Sequence, residues 1–97
     1  MELRTFTLAD GGTVVAGRGD LDAAGCAALA AEAGRHDRSV VVDLRGTRLV
    51  DLDALDDLVA RSEATFVAER PLRDALDLIG LRRHVRVAPS LAAVLAG

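Results

Sequence analysis

Residues 39–61, SVVVDLRGTRLVDLDALDDLVAR, contain the pattern that decides the fold. Their first part, residues 39–44, is a β-branched run without alternation, which is typical of a central strand covered on both faces. Their last part, residues 53–61, has leucine and valine at helical spacing after a polar loop. A strand followed by a loop and a helix is the start of a crossover connection, so this stretch predicts parallel strand pairing.

The segments on either side extend the same succession of strands and helices. We expect strands at residues 3–9, 13–17, 39–44, 64–69 and 84–88, and helices at residues 23–33, 53–61, 72–79 and 91–96. The turn Asp10-Gly11-Gly12 joins the first two strands as a hairpin. The sequence therefore predicts an α/β fold with one mixed sheet, antiparallel in its first hairpin and otherwise parallel, packed with about four helices. Because no linker or repeat interrupts residues 1–97, we expect a single domain.

Short polar residues and a glycine mark the ends of the first two helices. Asp20 or Asp22 is predicted to cap the first helix, and Asp51 or Asp53 the second. A side-chain oxygen at such a position accepts hydrogen bonds from the unpaired backbone N–H groups of the first turn. Gly34 is predicted to end the first helix in a left-handed conformation.

Composition excludes several classes of partner and site. The chain has 97 residues, of which 51% are apolar, 28% charged and 2% aromatic, and its net charge is −3. With so few stacking rings and no broad basic surface, nucleic acid is not an expected partner. The single cysteine, Cys26, excludes an internal disulfide and a cysteine zinc cluster, and we expect it to be buried. Since no secretory signal or membrane-spanning run is present, we expect a cytoplasmic protein without membrane insertion.

The densest polar feature of the chain is a group of aspartates, namely Asp43, Asp51, Asp53, Asp56 and Asp57. Carboxylate oxygens suit magnesium, and paired carboxylates can act as general acid and base, so both kinds of site are alternatives. Helix capping explains the same residues, as does an i,i+4 ion pair between Asp57 and Arg61. We favour the structural explanation and expect no metal, no cofactor and no catalytic residue, since a nucleophile–base pair and a dinucleotide fingerprint are both lacking.

Several fragments in the right order resemble a STAS domain, the fold of sulfate transporters and anti-sigma factor antagonists. They are GDLD (19–22), VVVDL (40–44), LVDLDAL (49–55), PLR (71–73), LDLIGL (76–81) and PSL (89–91). The resemblance covers nearly the whole chain and implies a STAS-like domain, which agrees with the order of strands and helices predicted from the residue pattern.

The stand-alone bacterial members that this chain resembles carry an Asp-Ser-Ser-Gly-Leu type of motif. A partner kinase, itself an anti-sigma factor, phosphorylates the second serine, and the dephosphorylated domain binds that kinase and frees the sigma factor. On this sequence the aspartate of the motif falls on Asp51, its first serine on Leu52 and its phosphoacceptor on Asp53. The glycine falls on Ala54 and the leucine on Leu55. Asp53 has no hydroxyl, so the resemblance implies a site that the kinase cannot phosphorylate and whose permanent negative charge partly mimics phosphoserine. The chain is then fixed in one state, either as a weak binder of such kinases or as the partner of a protein that requires the constitutive negative charge.

The resemblance implies a non-enzymatic protein-binding module whose partner is an anti-sigma factor kinase-like ATPase. The expected partner-binding surface comprises Asp22, Asp51, Leu52, Asp53, Ala54, Leu55 and Asp56. An alternative is a STAS-like structural subunit of a lipid-transport ABC complex, or of another multiprotein assembly, that clamps an ATPase without being switched. The nearest hydroxyls, Thr47 and Ser62, are expected to be loop or cap residues.

The helix at residues 53–61 is shorter than the family's usual helix at this place. At 1.5 Å per residue it is about 13 Å long and covers a strand of similar length poorly. We therefore expect Val59, Phe66 and their neighbours either to lie partly open or to be covered by another chain. The second case favours a homodimer or another complex.

Overall fold

The computed structural model describes residues 1–37 and 39–96 and contains five strands and four helices in the predicted order. The elements are β1 (Glu2–Thr7), β2 (Thr13–Leu21), α1 (Ala23–Ala33), β3 (Val40–Leu49), α2 (Leu52–Arg61), β4 (Ala64–Val67), α3 (Leu72–Gly80), β5 (Arg86–Ala88) and α4 (Leu91–Ala96). No helix formed by these residues has the length and apolarity that a bilayer span requires.

The strands form one mixed sheet in the order β1-β2-β3-β4-β5. β1 pairs antiparallel with β2, and the other three pairings are parallel. This arrangement confirms the predicted fold class. It also puts β3 at the centre of the sheet, as its β-branched run indicated.

β2 and β3 are both longer than predicted, because they remain paired beyond residues 17 and 44. Their ladder continues through a bulge between Ala16 and Arg18 to the pair Leu21 and Leu49. The two backbones approach closely there, and a Cβ on Gly46 would lie 3.0 Å from the Gly17 carbonyl oxygen. Glycine at this close approach thus permits the pairing to continue through the bulge and beyond the predicted strand ends.

The main core lies between one face of the sheet and the helices α1, α2 and α3. Its fully buried members include Leu29 from α1, Leu55 and Leu58 from α2, and Leu76 from α3. Alternate residues of the strands point to the other face, where Val14, Val41 and Val67 pack against α4. Both faces of the central strand are therefore covered over residues 40–42, as its sequence predicted.

The prediction that Val59 and Phe66 lie open or need a second chain is wrong. Val59 is 7% exposed and Phe66 is 1% exposed, and both belong to the main core. The short helix α2 does not cover β4 alone, because Leu72 and Leu76 of α3 belong to the same cluster and complete the layer. Because Val59 and Phe66 are buried within the chain, they no longer give a reason to expect a homodimer.

The predicted left-handed conformation of Gly34 is also wrong. Gly34 has φ −69° and ψ −11°, and its N–H donates to the Ala30 carbonyl oxygen at 3.0 Å. The next two N–H groups, of Arg35 and His36, donate to the carbonyls of Glu32 and Ala33. The carbonyls of the last turn are satisfied by a continued right-handed turn, so no reversal of φ is needed.

Candidate functional site

The helices α1 and α2 begin side by side at one edge of the sheet. They follow β2 and β3, which are adjacent and parallel, so the carboxyl ends of both strands lie at this edge. The Asp51 N–H donates to the Leu21 carbonyl oxygen at 3.2 Å and joins the two connecting loops. We call the surface made by Asp20, Asp22, Val50, Asp51, Leu52 and Asp53 the acidic edge.

Two aspartates of the acidic edge are helix caps. Asp22 caps α1, and its Oδ1 accepts from the Gly25 N–H at 2.7 Å. Asp51 caps α2, and its Oδ1 accepts from the N–H groups of Asp53 at 3.0 Å and Ala54 at 3.2 Å. Between the alternatives that the sequence left open, the structure thus selects Asp22 over Asp20 and Asp51 over Asp53.

Asp53 is the acidic residue in the first turn of α2, and it is exposed. With Asp51 occupying the N–H groups of the first turn, the Asp53 carboxylate is not used as a cap. Within residues 1–37 and 39–96 it makes no ion pair, unlike Asp57, which pairs with Arg61 at 3.1 Å on the same helix. The positive end of the helix dipole stabilises a negative charge at this position. Among the described residues the Asp53 carboxylate is therefore exposed and forms no ion pair.

The remaining residues of the acidic edge combine an ion pair with apolar side chains. Asp20 pairs with Arg48 at 3.1 Å, and both side chains are largely exposed. Val50 is 54% exposed and Leu52 is 48% exposed. Exposed apolar groups beside charged groups are typical of a protein-binding surface. Val50 and Arg48 were not predicted as site residues, and the only sequence signal for them was their place just before the motif.

Three of the predicted partner-binding residues lie elsewhere. Ala54 and Leu55 are 8% and 0% exposed, so they hold the start of α2 on the core and present no surface. Asp56 points to the segment after α3, where it accepts two hydrogen bonds from Arg83 at 3.0 and 3.3 Å and pairs with Arg82 at 3.5 Å. The hydrogen bonds and charge of Arg83, with the charge of Arg82, lower the pKa of Asp56. Asp56 thus links α2 to the end of α3.

Asp43 is separate from the other aspartates of the group. It is 8% exposed and lies on the sheet, where Arg45 binds both of its carboxylate oxygens at 3.0 and 2.8 Å. Burial raises the pKa of Asp43, but the hydrogen bonds and charge of Arg45 outweigh burial, so the pKa is lowered. Among the described residues no group of three or more His, Cys, Asp or Glu side chains is placed to hold a metal ion. The aspartates therefore do not form one pocket.

Neither Cys26 nor the hydroxyls of Thr47 and Ser62 belong to the acidic edge. Burial, followed by the charges of Asp22, Asp51 and Asp57, raises the pKa of the Cys26 thiol to about 11. The Thr47 hydroxyl donates to the Leu44 carbonyl oxygen at 2.6 Å, which is a structural role within β3. Ser62 is the C-cap residue of α2, at the opposite end of that helix from Asp53.

Comparison with solved structures shows a close likeness of fold. The chain is similar to the crystal structure of an anti-sigma factor antagonist from Mycobacterium paratuberculosis, with a TM-score of 0.69 and 24% sequence identity. The likeness covers 98% of this chain and 92% of that chain. No family model and no curated protein matches the sequence. The comparison confirms the STAS-like fold that the sequence fragments implied.

Proposed function

We propose that this chain is a non-enzymatic protein-binding module that acts as an anti-sigma factor antagonist and uses the acidic edge to bind an anti-sigma factor kinase. The proposal rests on one observation above all: the Asp53 carboxylate in the first turn of α2 is exposed and forms no ion pair among the described residues. The similarity of fold to an anti-sigma factor antagonist supports it. In this role the module acts in transcription regulation, in the bacterial cytoplasm.

The chemistry of Asp53 determines how such a module is regulated. A phosphoserine carries about −1.5 to −2 charge and three acceptor oxygens, whereas a carboxylate carries a single charge and two oxygens. Asp53 supplies a permanent anion and has no hydroxyl for a kinase to modify. The module is therefore fixed in one state. In the family members that the chain resembles, the dephosphorylated form binds the kinase, so the partner proposed for this chain differs from theirs in recognising the permanent charge.

The composition of the acidic edge indicates the partner surface that it fits. Asp22, Asp51 and Asp53 are exposed, and the Arg48 charge is paired with Asp20. A partner with one or two arginines for the Asp53 carboxylate and a small apolar surface for Val50 and Leu52 is complementary to this arrangement. Because the charges are exposed, binding is expected to weaken as the salt concentration rises.

The proposal is tested by binding to a purified histidine-kinase-like anti-sigma factor from the same genome, measured by calorimetry for wild type, Asp53→Ala and Asp57→Ala. A hydrogen bond to a charged group contributes about 1.5–3 kcal/mol, so Asp53→Ala is expected to bind roughly tenfold to a hundredfold more weakly. Asp57→Ala is the matched control, since it removes an exposed carboxylate that pairs only with Arg61 among the described residues. Unchanged or tighter binding of Asp53→Ala would contradict the proposal.

The absence of switching is tested separately by incubation with the same kinase and ATP, followed by mass spectrometry. Wild type is expected to gain no phosphate between residues 47 and 62, whereas Asp53→Ser, which has a hydroxyl at that position, is expected to gain one. A phosphate on Thr47 or Ser62 of the wild type would show that the module is switched after all.

A further inference from the structure

The outer edge of β1 is unpaired by any described element of the chain. β1 is the terminal strand of the sheet and pairs with β2 on its inner side. Its residues are exposed apart from the half-buried Leu3. An unpaired edge presents free backbone N–H and C=O groups, which can pair with a strand of another molecule.

A hydrogen bond in the hairpin between β1 and β2 shows which of these backbone groups point outward. The Leu8 N–H donates to the Gly12 carbonyl oxygen at 2.7 Å, so the pair Leu8 and Gly12 is hydrogen-bonded. Hydrogen-bonded and non-hydrogen-bonded pairs alternate along an antiparallel ladder. Even-numbered residues of β1 therefore bond to β2, and the backbone groups of Leu3, Thr5 and Thr7 point to the free edge.

We propose that β1 pairs antiparallel with β1 of a second copy of this chain, about a two-fold axis that passes through Leu3. The two five-stranded sheets then become one continuous sheet. Leu3 lies opposite Leu3 of the second copy, and each exchanges its N–H and C=O with the other. Glu2 lies opposite Arg4 of the second copy, and Arg4 lies opposite its Glu2.

This register is favoured by charge complementarity. Glu2 and Arg4 occupy non-hydrogen-bonded positions of the new ladder, where opposing Cα atoms are only about 4.5 Å apart. Opposite charges at such positions are stabilising, whereas like charges are destabilising. An axis through Arg4 would place Arg4 opposite Arg4 of the second copy. An axis through Thr5 would place Glu2 opposite Leu8 of the second copy. Among these three registers, only the axis through Leu3 gives both charged residues of β1 an opposite charge, which is the self-complementarity that a two-fold interface requires.

The neighbouring helices leave room for this pairing. α1 packs mainly on β2 and β3. In the dimer, β2 and its copy are separated by three strand spacings, about 14 Å at about 4.8 Å each. An α-helix with its side chains is about 10–12 Å wide, so the two α1 helices fit side by side. Because the axis is perpendicular to the sheet, the two acidic edges face opposite ends of the dimer. The inference is argued from β1 alone and does not depend on the proposed function.

The test is sedimentation velocity of the full chain over a concentration series, with wild type, Glu2→Arg, Arg4→Glu and an equimolar mixture of the two variants. The short ladder predicts a weak dimer of the wild type that dissociates on dilution. Each variant alone places like charges opposite each other, so its dimer is expected to be at least tenfold weaker. In the mixture every Arg of one variant faces a Glu of the other, so dimerisation is expected to return to the wild-type level.

Arg86→Glu is the matched control, because it reverses an exposed charge on β5, the opposite terminal strand of the sheet. It is expected to dimerise as the wild type does, and circular dichroism confirms that each variant is folded. A wild type that remains monomeric up to millimolar concentration would overturn the proposal. Dimerisation of Glu2→Arg alone at the wild-type level, or a mixture that stays monomeric, would overturn it equally.

Discussion

Gly25 gives the sharpest test of how the acidic edge is built, because local propensity and packing predict opposite results for Gly25→Ala. Gly25 is buried in the first turn of α1. A Cβ at this position would overlap the backbone carbonyl oxygen of Asp20, and it would lie 3.1 Å from the capping Oδ1 of Asp22 and 3.0 Å from the Met1 side chain. The Met1 side chain can move, but the Asp20 carbonyl belongs to β2 and cannot move without disturbing the sheet.

The change in the free energy of unfolding expected for Gly25→Ala has three contributions. Alanine is favoured over glycine in a helix by about 0.8–1 kcal/mol. Overpacking costs about 1–3 kcal/mol, and a weakened Asp22 cap costs about another 1 kcal/mol. We therefore expect Gly25→Ala to lower the free energy of unfolding by about 1–3 kcal/mol, with a fall in Tm of roughly 4–8 °C for each kcal/mol.

The assay is urea unfolding followed by circular dichroism, with Gly80→Ala as the matched control. Gly80 is the last residue of α3, and a Cβ there would meet nothing within 4 Å. Gly80→Ala is therefore expected to be neutral or to stabilise the chain by up to about 1 kcal/mol. A Gly25→Ala chain that is as stable as the wild type would show that α1 can move away from β2, and the packing argument would be wrong.

Three further predictions concern the caps and the titratable groups. Asp51→Ala is expected to cost about 1–2 kcal/mol in urea unfolding, because two N–H groups of α2 lose their acceptor, whereas Asp51→Asn keeps an acceptor and is expected to stay within about 0.5 kcal/mol of the wild type. Arg45→Ala is expected to cost about 1–3 kcal/mol at neutral pH, because the buried Asp43 carboxylate loses its ion pair and two side-chain hydrogen bonds and keeps only the backbone N–H of residue 45. Since the pKa of Asp43 is lowered in the fold, its pairing stabilises the chain above the unfolded pKa of about 3.9 and is lost as the pH falls through the folded pKa. The stability difference between wild type and Arg45→Ala is therefore expected to shrink below about pH 4, and a constant difference in an acid titration would contradict the pairing. Cys26, with a pKa of about 11, is expected to react with thiol reagents at neutral pH only as urea unfolds the chain, and rapid labelling of the folded chain would contradict its burial.

The fold was predictable because local patterns and tertiary structure agree along most of the chain. The β-branched run at residues 40–42 indicated the central strand, and the structure covers it on both faces. Asp22 and Asp51 were among the predicted caps, since a cap is a contact within four residues of the chain. The order of strands and helices was enough to predict the mixed sheet.

The parts that could not be predicted depend on contacts between distant residues. The second strand was predicted to end at residue 17, but pairing with β3 keeps residues 18–21 in the sheet, with Gly19 at φ 129°. Asp56 looked like a member of the site, yet Arg83, 27 residues later, binds it. Phe66 was expected to lie partly open or to be covered by another chain, because the contribution of α3 to the core cannot be read from the length of α2. In each case a long-range contact overrides a local pattern.

The hydrogen bond from the Asp51 N–H to the Leu21 carbonyl ties the start of α2 to the end of β2. Together with the two capping aspartates, it means that the partner proposed for the acidic edge would meet a surface that is already ordered. Little conformational entropy is then lost on association, and the encounter rate is set by diffusion and charge instead of by a slow rearrangement. Added salt should accordingly slow the encounter while leaving the lifetime of the complex nearly unchanged.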